Sequence, residues 1–108
     1  MVLFNKYKNT KYAEMGEYHC DISEYLDKQA GIESNSRWKH YVLADTYCLK
    51  EQCLAIRIPG GTVGGIWIDD NAVITKIVVD TDYVVKTYPE NINELLQEFI
   101  GEVIEIRL

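Results

Sequence analysis

No apolar run in this chain approaches the roughly 18 residues that a helix needs to cross a membrane. The opening stretch MVLFNKYKNTKY holds one short apolar patch, Val2 to Phe4, and lacks the apolar core and small-residue cleavage site of a secretory signal. Cysteine is scarce: Cys20, Cys48 and Cys53 are odd in number, show no CxxC spacing and so do not form a disulfide framework. Free thiols in a reducing, cytoplasmic compartment are expected. Basic residues are scarce where it matters most. After Ile68 only Lys76, Lys86 and Arg107 stand against nine acids. Nucleotide motifs are missing too, for the glycine-rich stretch IPGGTVGGIWIDD has no lysine in the GxxxxGK[ST] position and opens no helix as a GxGxxG turn must.

What is present is an ordinary globular composition, 47 % hydrophobic and 26 % charged over 108 residues. That length suits a single compact domain, 1–108. The net charge of −6 is unevenly placed. Eight acids and eight bases cancel over residues 1–68, so the whole imbalance falls in the last forty residues. A surface of that sign repels phosphate backbones, which bind through lysine and arginine, and attracts basic protein surfaces.

Two segments carry helical grammar. In DISEYLDKQAG, Asp21 and Glu24 have capping-box spacing, Ile22, Tyr25, Leu26 and Ala30 form a stripe, and Gly31 follows as a stop. NINELLQEFIG repeats the pattern with Asn91, Glu94, an Ile92–Leu95–Leu96–Phe99–Ile100 stripe and Gly101. Between them the period changes to two. Residues 39–49 and 53–58 read as a hairpin about Lys50-Glu51-Gln52, and 65–69 and 72–80 as a second hairpin about Asp70-Asn71. Residues 82–88 and 104–108 add strand candidates, the latter with Glu105 and Arg107 on a wet face. Val2–Phe4 reads as a short edge strand, and KYAEMGEY as a segment able to extend a helix. The expected fold is α+β: an antiparallel sheet of about five strands, with two short helices (about 21–30 and 91–100) packed on one face.

Chemistry is thinly signalled. Glycine in 58–68 most simply gives positive φ and close backbone approach between strands. Its functional alternative is a ligand loop of Gly60, Gly61, Thr62, Gly64, Gly65 and Trp67. The pairs Asp69/Asp70 and Asp80/Asp82 stand at opposite ends of one strand, about 30 Å apart at ~3.3 Å per residue, which suits turns and not a shared metal. No metal site and no cofactor are expected. Cys20, directly before a helix and beside His19, is the candidate reactive thiol, with His40 as a base only if the fold brings it near. No catalytic set emerges. Tyrosine is abundant, eight in all, and Trp38 stands between Arg37 and Lys39, a combination found both in cores and in interfaces.

The expected function is therefore binding without turnover. Asp69, Asp70, Glu90, Glu94, Glu98, Glu102 and Glu105 would form an acidic face for a basic protein partner, as in small phage or mobile-element inhibitors and immunity proteins. Direct nucleic-acid and membrane binding are disfavoured. Pairing of two copies through the 104–108 edge stays open. Two alternatives come from other classes: a nucleotide or small-molecule domain using the glycine stretch, and a small Cys/His enzyme.

Overall fold

Leu54, Ile56 and Ile58 alternate with Cys53, Ala55 and Arg57, and this period of two builds strand β4 (Cys53–Ile58), with the first set in the core and the second on the outer face. The computed structural model describes residues 1–6, 16–82 and 87–107. Around β4 stand β1 (Val2–Lys6), β2 (Glu17–Cys20), β3 (Tyr41–Leu43), β5 (Gly61–Ile68), β6 (Ile74–Val79) and β7 (Ile104–Arg107). Their order in the sheet is β6-β5-β4-β3-β2-β1-β7. All neighbours are antiparallel except β1 and β7, which run parallel with Val2 opposite Ile104.

The two ends of this order meet. Val73 and Val103 form an antiparallel bridge, reinforced by Ile74 N–H to Glu102 O, Gly101 N–H to Ile74 O and Ile104 N–H to Ala72 O, each 2.9 Å. The hydrogen-bonded sheet thus curls round and is stitched to itself. Inside lies one core, to which the strands give Phe4, Val42, Leu54, Ile56, Ile66 and Ile77. Helix α1 (Asp21–Gln29) adds Ile22 and Leu26; α3 (Ile92–Leu95), which tightens into a 3-10 turn over Leu96–Phe99, adds Ile92 and Leu96. Full burial of side chains this size stabilises by about 1.5–3 kcal/mol each. The edge of Tyr25 meets the Phe99 ring at 5.4 Å, joining α1 to the 3-10 turn.

The α+β class holds, but the sheet is larger than five strands and mixed. Val2–Phe4 does not lie at an edge, since β1 runs between β2 and β7. The expected 39–49 strand is short because Asp45 accepts the N–H of Cys48 (2.8 Å) and starts helix α2 (Thr46–Glu51), which Gln52 ends at φ 56°. Residues 50–52 therefore close a helix instead of making the expected hairpin turn. The box on α1 lies one residue earlier than Asp21/Glu24: Ser23 Oγ accepts the Cys20 N–H (2.9 Å), and the Ser23 N–H faces the Cys20 sulfur. Asn91 makes no side-chain cap; Asn93, two residues on, instead brackets Val79 through both its amide atoms (2.9 and 3.1 Å). In the β5–β6 turn the positive φ falls on Ala72, while Asp69 Oδ1 accepts the N–H groups of Asn71 (2.8 Å) and Val73 (3.0 Å). The strand expected at 82–88 falls mostly outside the described residues, as does most of KYAEMGEY, whose described Glu17 and Tyr18 belong to β2 and not to a helix.

The glycine stretch is hairpin and strand together. Pro59-Gly60 makes the tight turn, with Gly60 at φ +103°, and β5 begins at Gly61. Gly64 faces Ile56 on one side and Val79 on the other, where a Cβ would sit 2.3 Å from the Val78 carbonyl oxygen. A backbone oxygen cannot rotate away, so Gly64→Ala is expected to destabilise by about 1–3 kcal/mol in urea unfolding. A midpoint equal to that of the parent would show that the strands open without cost.

Candidate functional site

Asp27 follows Leu26 on α1 and flanks the Ile22–Leu26 stripe, so its carboxylate is carried inward. There Oδ1 accepts both the backbone N–H of His40 (2.7 Å) and its ring Nδ1–H (2.8 Å). His40 is fully buried. Its Nε2 faces the Tyr88 hydroxyl, which donates to it once Nδ1 carries the ring proton. Burial, and then the Asp27 charge, hold the Tyr88 phenol far above its ordinary range, so it remains a donor. The Asp27–His40–Tyr88 chain has the order of a proton relay, but its imidazole reaches no solvent. Its work is to pin the residues around Tyr88 to α1. The same Asp27 also holds the Ile32 N–H through its carbonyl (2.8 Å), so one residue clasps both ends of the 33–39 loop. Sequence reasoning missed this group, because its three members lie far apart in the chain and meet only in the fold.

On the outer face, Tyr41 of β3 pairs in register with Arg57 of β4, and Arg57 with Thr62 of β5. Arg57 donates from Nε to the Tyr41 hydroxyl (3.2 Å) and from Nη1 to Thr62 Oγ1 (2.9 Å). Between this row and the 34–39 loop lies a cleft of about 450 Å3, lined by Glu17, His19, Ser34, Arg37, Lys39 and Tyr41 among others. Glu17 is buried; desolvation raises its pKa against the opposing pull of Arg57. His19 is pushed down by desolvation and then by Lys39, with Asp27 and Glu24 acting the other way. The Arg37 guanidinium stands over the Trp38 ring, 5.3 Å from its centroid.

The residues expected from sequence are placed as follows. Thr62, Gly64, Gly65 and Trp67 line a second, more apolar groove of about 600 Å3 with Cys53 and Val78, where Lys76 Nζ lies 4.7 Å from the Trp67 ring. Gly60 stays in the hairpin turn and Gly61 opens β5 opposite Ile58. Cys20 is buried, and desolvation pushes its thiol up to about 11, the opposite of an activated nucleophile. Cys48 and Cys53 are likewise pushed up, mainly by desolvation. Among the described residues no group of three or more His, Cys, Asp and Glu is placed to hold a metal, and no helix is long and apolar enough to cross a membrane.

The acids gather on one side. Helix α3 runs along β6 from Asn93 at Val79 to Gly101 at Ile74, carrying exposed Glu94 and Glu98, with Glu90 just before it. Glu102 and Glu105 flank the β6–β7 seam, and Asp69 and Asp70 occupy the turn leading into it. Gln52 Nε2 donates to Asp70 (3.0 Å), and Glu102 meets the Met1 amino group. Comparison of the chain with protein-family models, curated proteins and solved structures finds no match.

Two outcomes follow from these environments. Asp27→Ala leaves buried N–H groups of His40 without an acceptor and is expected to cost about 2–4 kcal/mol, whereas Tyr88→Phe costs about 1 kcal/mol; equal losses in denaturant titration would refute the ranking. Glu17 has a raised folded pKa, so its stabilising share is present below the ordinary carboxylate range and is lost as pH rises through the raised value. Glu17→Gln should therefore raise the melting temperature near about pH 7 and leave it nearly unchanged near about pH 4. A gain of the same size at both pH values would show that the charge is not the cause.

Proposed function

We propose that this protein is a binding module that docks a protein partner through the β6–β7 seam and occludes a basic surface on it. The observation that supports this reading most is the mixture found at the seam. Ile100 and Val103, 40 % and 44 % exposed, stand in the most acidic part of the chain, beside Glu98, Glu102 and Glu105. An apolar centre with a charged rim is the usual composition of a protein interface, and the sign of this rim selects lysine- and arginine-rich partners. Surfaces of that kind ordinarily hold nucleic acid, so occupying one blocks it sterically and electrostatically, in the manner of the small inhibitors and immunity proteins of phages and mobile elements. The three cysteines, all thiols, suit a reducing compartment such as the cytoplasm.

Immobilised protein should capture a partner with a basic face from host extract, and raised salt should release it. With the purified pair, Glu94→Lys combined with Glu98→Lys is expected to slow association about tenfold or more and to flatten its salt dependence. Ile100→Asp should mainly speed dissociation. An affinity indifferent to salt and to the double reversal would overturn the electrostatic mechanism.

A further inference from the structure

We propose that the cleft between the 34–39 loop and the outer face of β2 and β3 binds a small phosphate-bearing ligand of about mononucleotide size.

Charge is the first ground. The chain carries −6 overall, yet Arg37 and Lys39 line this cleft and Arg57 bonds to Tyr41 in its floor, while Glu17 is the only acid among the described residues that line it. Two lining cations, with Arg57 behind Tyr41, face Glu17 inside the cleft and Asp27 and Glu24 behind Lys39, so the cations are concentrated on the loop and floor where an anion would enter.

Donor geometry is the second. Arg57 is fixed by two hydrogen bonds, so a planar guanidinium is held before any ligand arrives. The lining also includes Arg37, Lys39, Ser34 and Asn35, so guanidinium, ammonium, hydroxyl and amide donors are all present for the several oxygens of a phosphate.

Preorganisation is the third. Asp27 holds Ile32 and His40 at the two ends of the loop, and Ser36 N–H bonds to Glu33 O (3.0 Å) within it. The loop's shape is therefore maintained without a ligand, which lowers the entropic cost of binding. Size is the fourth, since about 450 Å3 falls in the range of small-molecule sites, roughly 300–1,000 Å3. Trp38, 54 % exposed, stands in sequence between Arg37 and Lys39, which line the cleft, and offers an aromatic surface on which a base can stack.

The β2–β3 cleft lies across the sheet from the β6–β7 seam: β3 is three strands from β6, and β2 is two from β7. The site is thus independent of the docking surface proposed above.

The test is a titration of the whole protein with adenosine 5′-monophosphate, inorganic phosphate and adenosine, followed by amide NMR shifts and by calorimetry. The nucleotide is expected to bind, inorganic phosphate to bind more weakly at the same amides within residues 34–41, and adenosine to fail. Arg37→Gln and Lys39→Gln, both at accessible positions and checked for an unchanged amide spectrum elsewhere, should each weaken nucleotide binding about fivefold or more. Glu17→Gln should strengthen it by removing the opposing charge inside the cleft. Binding of adenosine equal to that of the nucleotide would replace the phosphate site with a base site. No shifts at residues 34–41 with either phosphate compound, or an affinity unmoved by both glutamine variants, would overturn the proposal.

Discussion

The backbone hydrogen bonds that join Ala72 and Ile74 to Gly101, Glu102 and Ile104 close a sheet that would otherwise end in two raw strands. An open edge there would leave rows of unpaired N–H and C=O groups, a template for pairing with other chains. It would also part β6 from β7 beside Ile74 and Ile104, two buried members of the core. Closure dictates much else. It requires β7 to lie parallel to β1, it holds α3 against β6 through Gly101 at one end and Asn93 at the other, and it fixes where the acids of the last forty residues must stand.

A second constraint works at the opposite side of the ring. Asp27 is one residue of a nine-residue helix, yet its carbonyl and carboxylate together hold both ends of the 33–39 loop and orient the His40 ring. Lys39 and Tyr41 flank His40 in sequence, so anchoring His40 sets the positions from which both enter the outer cleft. A buried network with every member partnered is rigid for the same reason that a partly satisfied one is costly. The polar wall of the cleft is therefore held by groups that never touch it.

Local grammar made much of this readable and long-range pairing hid the rest. The alternation in CLAIRI, the stripes headed by Ile22 and Ile92, and the stops at Gly31 and Gly101 all state their own conformations, because period and positive φ are local properties. Asp45 hid α2, since three neighbouring strand-forming residues outweighed one cap in a window that short. The parallel partnership of β1 with β7 joins residues about a hundred positions apart and leaves no mark in either segment. The same holds for the Asp27–His40–Tyr88 chain, whose members look like three unrelated surface or core residues until the fold brings them together. Glycine illustrates the limit well. Gly64 is required by Val78 and Val79, and no feature of residues 58–70 names that neighbour.

Segregation of charge around a closed ring has a consequence that net charge conceals. A protein with −6 spread evenly would meet a basic partner in any orientation and would repel a phosphate everywhere. Here Glu94, Glu98, Glu102 and Glu105 lie on the seam side, and Arg37, Lys39 and Arg57 lie across the ring. In the proposed docking, this separation would orient a basic surface toward the seam before contact, since orientation during encounter is what electrostatic steering mainly supplies. In that docking the cleft would face away from the partner. Occupation of one side would then leave the other open, with the Debye length of about 8 Å at physiological salt keeping the two potentials separate.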